Sequence, residues 1–268
     1  MTEIGYFDLN GIRLRAQPAR DECFAVVRDE RDMAEFDGSA EAGRREMLHR
    51  HMSNEITSLD IAAQCLIDFP ETPWPLRMEL ARQCWDEARH VRVLKRRLLE
   101  IGGHKGEFPI STFEWSITSA LDTLAARLAT QNRTFEAGAM DVVAGLIRAV
   151  RESGDDETAY VLDGILADEV QHVRFANRWI KTMSSANPRL LLKIAQAIRF
   201  LARANEGIRA KEGEASSTGK VFASPEERVP AVNVEDRQRA EFTEDEILEI
   251  LKQAGFRTIL PGTPAGAA

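Results

Sequence analysis

What this chain has little of narrows what it can be. It carries 3 cysteines, Cys23, Cys65 and Cys84, an odd number with no CxxC spacing. That excludes a disulfide framework, a zinc ribbon or a rubredoxin-like iron domain, and suits a reducing compartment. No apolar run reaches membrane-spanning length, and the start, Met1-Thr2-Glu3-Ile4-Gly5-Tyr6-Phe7-Asp8, lacks a basic-then-apolar leader. A cytoplasmic protein with no membrane partner is therefore expected. Positive charge is scarce: 35 Lys and Arg face 43 Asp and Glu. This disfavours nucleic acid as a general partner, although it leaves tRNA open. Only two tyrosines are present, Tyr6 and Tyr160, and no convincing strand-like alternation appears.

What is there reads as helix. With 268 residues, 44% of them hydrophobic, the chain can bury a sizeable core. Residues 1–39 read as an extension, extended and polar to residue 16, with a short helix from about Pro18 to Phe36. A helical bundle follows over 40–211. Its first long helix runs from about Ala40 to Phe69 and stops at Pro70-Glu71-Thr72-Pro73, where proline removes donors. The second runs from about Trp74 to Ile101 and ends at Gly102-Gly103. The third opens at Ser111, whose spacing to Glu114 suggests a capping box, and continues to about Ser153 with a bend near Thr130-Gln131-Asn132. The fourth covers about Asp156 to Met183, and a fifth packing helix starts near Pro188. Residues 212–268 read as a second extension, with a short helix capped by Thr243 and Glu246 and a disordered tail. The class is all-α.

Two segments repeat one pattern, Asp86-Glu87-Ala88-Arg89-His90-Val91-Arg92 and Asp168-Glu169-Val170-Gln171-His172-Val173-Arg174. Glu55 precedes Glu87 by 32 residues and Glu136 precedes Glu169 by 33, each first glutamate being followed five residues later by an aspartate, Asp60 or Asp141. This is an internally duplicated helix hairpin. Three-residue spacing puts Glu87 with His90, and Glu169 with His172, on one helical face. Glu55 interrupts the stripe Leu48, Met52, Leu59, Ala62 and Leu66. Glu87 interrupts Leu76, Leu80, Cys84, Leu94 and Leu98. Glu136 interrupts Leu128, Met140, Val143 and Ile147, and Glu169 interrupts Leu162, Ile165, Leu166, Ala176 and Ile180. Burying one unpaired carboxylate costs several kcal/mol. Four at one level, with two imidazoles, require cations between them. A third ExxH, Glu46 to His49, falls on the opposite face from Glu55 and shows that one such tetrad alone means little.

The pattern E…DExRH…E…DExxH over about residues 40–183 resembles the ferritin-like di-iron carboxylate superfamily, near its tRNA-hydroxylase-like and N-oxygenase-like single-chain members. That resemblance implies a ferritin-like four-helix bundle with Glu55, Glu87, His90, Glu136, Glu169 and His172 as metal ligands. It also implies that Asp86 and Asp168 hydrogen-bond the imidazoles and that Arg89 belongs to the motif, with Gln171 departing from it. The implied cofactors are two iron ions, with manganese or a mixed Mn/Fe pair also accommodated, and dioxygen as co-substrate. The implied function is an oxidase or monooxygenase that hydroxylates, N-oxygenates or desaturates an organic substrate. Its partners would be a small-molecule or carrier-bound substrate and an external electron donor, and a homodimer is allowed. The alternative is a ferritin- or rubrerythrin-like iron-binding, iron-oxidising or peroxide-scavenging role.

Lesser features carry more than one reading each. His51, one turn before Glu55, is an extra ligand, a proton relay or a polar cap on the cavity. The fifth helix bears Arg189, Lys193, Arg199, Arg203 and Arg209 beside Leu191, Ile194, Ile198 and Leu201. It either guides an anionic substrate or packs with a solvated basic face. Ala62, Ala63, Ala137, Gly138 and Ala139 either leave room for a substrate or permit close helix packing.

Overall fold

The computed structural model describes residues 6–9, 12–15, 20–27, 33–34, 36, 40–212 and 232–254. Helices dominate it. α1 (Glu41–Asp68) and α2 (Trp74–Glu100) pack as a hairpin whose short connection holds Pro70 and Pro73. Proline in the first turn of α2 sacrifices only an N–H that has no helical partner there. Beyond α2, Gly102 takes φ +83°, a left-handed conformation that favours glycine.

The second hairpin has a composite first arm. α4 (Leu124–Thr130), a π-helical segment (Gln131–Glu136) and α5 (Ala137–Glu152) follow one another without a gap. Gly154, at φ +84°, turns the chain. α6 (Asp156–Ala186) returns along α5, its N-terminus capped by Asp155, which accepts from the Thr158 N–H at 3.0 Å. α7 (Arg189–Glu212) lies against α4 and α6 with Ala197 and Leu201 buried, while Leu191 and Ile198 stay exposed.

Two apolar clusters fill the bundle. One joins Leu48, Met52, Leu94, Leu98, Met140, Val143, Ile147, Leu162 and Ile165. The other joins Ile61, Cys65, Leu76, Leu80, Leu124, Leu128, Phe175 and Ala176. On α1, α2 and the α4–α5 rod the first cluster lies to one side of the duplicated glutamate and the second to the other, and on α6 the first cluster runs past Glu169 to Val173 before the second begins at Phe175, so the polar layer lies between apolar plugs. Each fully buried Leu or Ile contributes about 1.5–3 kcal/mol, so the plugs hold the rods in register around the layer. Among the described residues no helix is long and apolar enough to cross a membrane.

Several local expectations require correction. The helix expected from Pro18 to Phe36 is absent from the described part of that stretch. Arg20 is drawn to Asp60 and Thr57 instead, Phe24 packs edge-on to His49, and Val26–Val27 forms strand β3. Tertiary contacts and β-branched residues outweigh a weak helical pattern there. Strands do occur. β1 (Tyr6–Leu9) pairs antiparallel with β2 (Ile12–Arg15), and β3 pairs parallel with β4 (Ile110–Ser111). The first pair brackets Asn10-Gly11, a strong hairpin signal in sequence.

The third helix is also shorter than expected. Ser111 belongs to β4, so no capping box forms with Glu114, and α3 (Phe113–Thr118) ends before Thr123 restarts the helix as the cap of α4. The bend expected near Thr130 is the start of the π-helical segment. In the C-terminal extension α8 (Val234–Arg239) was not anticipated, whereas α9 (Glu244–Gln253) carries the Thr243–Glu246 capping box. The expected disordered tail lies outside the described residues.

Candidate metal centre

Each of the four rods delivers its glutamate into the polar layer. Glu55, Glu87, Glu136 and Glu169 are buried, as are His90 and His172. Two overlapping sets of potential ligand atoms result, each lying within 4.8 Å: Glu55, Glu87, His90 and Glu169, and Glu87, Glu136, Glu169 and His172. All six residues singled out in the sequence are thus brought together, and Glu87 and Glu169 belong to both sets.

The sharing is atom by atom. Glu87 turns Oε2 toward His90 Nδ1 (3.1 Å) and Oε1 toward His172 Nδ1 (3.4 Å). Glu169 turns Oε1 toward His90 Nδ1 and Oε2 toward His172 Nδ1, both at 3.4 Å. Glu55 Oε2 completes the His90 side at 3.2 Å. Each imidazole therefore faces the centre through Nδ1 and leaves Nε2 free for an outward partner.

Those outward partners are crossed between the repeats. His90 Nε2 lies 3.1 Å from Asp168, and His172 Nε2 lies 3.3 Å from Asp86. The aspartate of each DExxH thus orients the histidine of the other, because α2 and α6 pack against each other at this level. Arg89 bonds both Asp168 and Asp86, and Arg82 adds a bond to Asp86 at 3.2 Å. Gln171, at the place of Arg89 in the second copy, is exposed.

The electrostatics ask for positive charge. Burial, with Glu169 and Glu55 nearby, pushes the Glu87 carboxyl well above its ordinary range. Burial, with Glu169, does the same to Glu136. Burial opposes charge on His90, yet the hydrogen bonds that Glu55 and Glu87 accept from it pull it up to about 11. His172 rises well above its usual value against the same burial, through Glu169 and Asp86. Glu55 alone is held well below its ordinary range, where bonds to His51 and His90 outweigh burial. Raised carboxyls and raised imidazoles are both what buried carboxylates crowded around too little positive charge produce.

Unmet donors and acceptors sharpen the fit. Among the described residues, both carboxylate oxygens of Glu169 and Nδ1 of His172 are buried without a hydrogen-bond partner, although unpaired buried polar atoms are strongly disfavoured. All three face the centre. Four carboxylates and two imidazole nitrogens in two sets that share a pair of bridging carboxylates suit two divalent or trivalent cations.

Sequence reading missed a buried polar girdle. Gln83, rather than Cys84, occupies the fully buried place on the α2 stripe, while the Cys84 thiol is pushed up to about 11, chiefly by burial. Gln83 donates to Glu136 at 2.6 Å, and Asn132 donates to Glu136 at 2.9 Å. Gln131 donates to Ser58 at 3.1 Å and accepts from Thr118. The wider turn of the π-helical segment turns Gln131, Asn132 and Glu136 inward together. Gln83 was detectable as a polar residue one turn before a ligand on an apolar stripe.

The remaining candidates separate cleanly. His51 lies 2.8 Å from Glu55 at the half-buried edge of the centre and belongs to neither ligand set. His49 points elsewhere, its Nε2 accepting the Gly106 N–H. Tyr160 is 78% exposed and is not part of the buried cluster. Among curated proteins and solved structures, none matches the chain. One family model, described as "Protein of unknown function (DUF455)", matches residues 8–248, and the chain belongs to that family.

Proposed function

We propose that this protein is a ferritin-like di-iron oxidoreductase that uses dioxygen and an external electron donor to hydroxylate, N-oxygenate or desaturate an organic substrate. The observation that carries the reading is the pair of ligand sets sharing Glu87 and Glu169. Imidazole and carboxylate donors suit non-haem iron, with manganese or a mixed pair also accommodated. When bound, two such ions would supply reversible electron transfer to dioxygen.

The chain's own residues would do the rest. Glu55, His90, Glu136 and His172 would each hold one ion, with Glu87 and Glu169 between them. Asp86 and Asp168 would keep a proton on each Nε2 and so fix the imidazole tautomers. The apolar plugs above and below would exclude bulk water.

Metal analysis and absorption spectroscopy on protein produced with iron test the reading. About two irons per chain are expected. Anaerobic reduction followed by oxygen should then consume oxygen with a coupled organic product. Uptake of many irons per chain, or rapid peroxide turnover without organic substrate, would instead favour the storage or scavenging role. Protein that is stable and metal-free under all loading conditions would refute both.

A further inference from the structure

The duplicated hairpins supply an internal comparison. His51 and Asn132 stand at the same place, four residues before Glu55 and Glu136, and each bonds the glutamate that follows, at 2.8 and 2.9 Å. Gln83 and Ile165 also stand at the same place, four residues before Glu87 and Glu169. Both are fully buried, but only Gln83 carries hydrogen-bonding groups.

Every bond Gln83 makes falls on one side of the centre. Its amide donates to Glu136 Oε1 at 2.6 Å and to Glu87 Oε1 at 3.3 Å. Glu87 Oε1 is the oxygen that faces His172, whereas Oε2 faces His90. The Gln83 carbonyl accepts from Asn132 at 3.1 Å, and the same Asn132 nitrogen donates to Glu136 Oε2. Both oxygens of Glu136 are thereby gripped by amides. Among the described residues Glu55 has no such clamp: His51 meets one oxygen, and the other faces His90.

On the reading that this centre binds two ions, we infer that Gln83, with Asn132, is a positioning residue for one metal position alone, that of Glu136 and His172. A carboxylate on a flexible side chain in an apolar layer has several orientations available. Two amide donors select one of them and keep both oxygens pointed for coordination. A buried amide is costly unless its groups are used, and here they are used on Glu136 and on the one oxygen of the shared Glu87 that faces His172. The two positions are therefore unequal in spite of their duplicated ligands, and residues outside the ligand set create the inequality.

Cobalt(II) titration of metal-free protein, followed by visible absorption, tests this. Gln83→Ile copies the other repeat, and Gln83→Met keeps the length without the amide. Each is made in wild-type, Glu55→Ala and Glu136→Ala backgrounds, the last two retaining one complete position apiece. In the Glu55→Ala background both substitutions should weaken the remaining ion about tenfold and shift its absorption bands. In the Glu136→Ala background neither should have an effect. Equal weakening in both backgrounds, or none in either, overturns the inference and leaves the metal-centre reading standing. Wild-type protein that binds fewer than two cobalt ions overturns both. Should the isoleucine variant fail to fold, the methionine variant decides.

Discussion

In the first hairpin Glu55 projects from an uninterrupted α-helix, whereas in the second Glu136 closes a six-residue π-helical segment. Both glutamates nevertheless reach the same buried layer. The repeats have kept what a shared centre demands, one glutamate per first arm and DExxH on each second arm, and have diverged around it. Where the first repeat has His51, half-buried, the second has Asn132, fully buried. The matched aspartates beyond the glutamates diverge too. Asp60 takes Arg20 from the N-terminal extension at 2.5 Å, and Asp141 takes Arg237 from the C-terminal extension at 2.6 Å. The comparison teaches that the Glu and His set is kept in both halves, while the polarity around it and the anchoring of the extensions are assigned to each half separately.

The largest expected effect separates shared from unshared ligands. Glu87→Ala or Glu169→Ala should empty the centre, taking about two bound ions per chain to none, because each serves both ligand sets. Glu55→Ala or Glu136→Ala should leave about one. Metal analysis of the purified variants checks this, and equal loss in all four would erase the distinction between bridging and terminal glutamates.

Crossing of the aspartates gives the next effect. Asp168→Ala should weaken the His90 position, and Asp86→Ala the His172 position, each by about 10- to 100-fold in metal affinity. In a double-mutant cycle Asp168→Ala should add nothing once His90 is alanine. Additivity there, together with coupling to His172, would show that each repeat orients its own imidazole instead.

The two anchors should differ in stability. Arg237 and Asp141 are largely buried, and Arg237 also donates to the Ala137 carbonyl at 3.0 Å. Asp141→Asn strands that guanidinium and should cost about 3 kcal/mol in urea unfolding of the metal-free protein. Burial pushes the Asp60 carboxyl above its ordinary value in spite of Arg20, so that pair contributes less. Thr57 still accepts from Arg20 after the substitution, so Asp60→Asn should cost less, about 1–2 kcal/mol. The reverse order would mean that the N-terminal extension is the firmer anchor.

The smallest effect concerns the turn of the second hairpin. Asp155→Ala removes the α6 cap and should cost about 1 kcal/mol. Burial opposes the Asp155 charge, but bonds from Thr158 and Arg97 outweigh it and hold the carboxyl below its ordinary value. A depressed folded-state pKa gives stability that is complete above the unfolded value, near pH 4, and is lost as pH falls through the folded one. The gap between wild type and variant should be constant near neutrality and close in acid. Thermal unfolding at several pH values measures it.

Much of this was legible in the chain itself. The helices α1, α2, α6, α7 and α9 follow from apolar periodicity and from proline, glycine and cap signals at their ends. The six candidate ligands follow from the duplicated DExxHVR and its matched upstream glutamates. Other parts were not legible, and each for a physical reason. Residues 20–27 yield to Asp60, His49 and β4 because contacts distant in sequence outweigh local propensity. Gln131 and Asn132 read as a bend, since the helical pattern does not tell a π turn from an ordinary break.

The sequence by itself determined which residues could serve one centre, because spacing along a helix fixes the face on which a side chain lies. Only tertiary structure decided how they are shared. Packing of α2 against α6 chose which aspartate meets which histidine, which oxygen of Glu87 faces which imidazole, and that Gln83 reaches Glu136 from another rod. Those pairings join residues 53 to 86 positions apart in the chain, and periodicity carries no information about the register between helices.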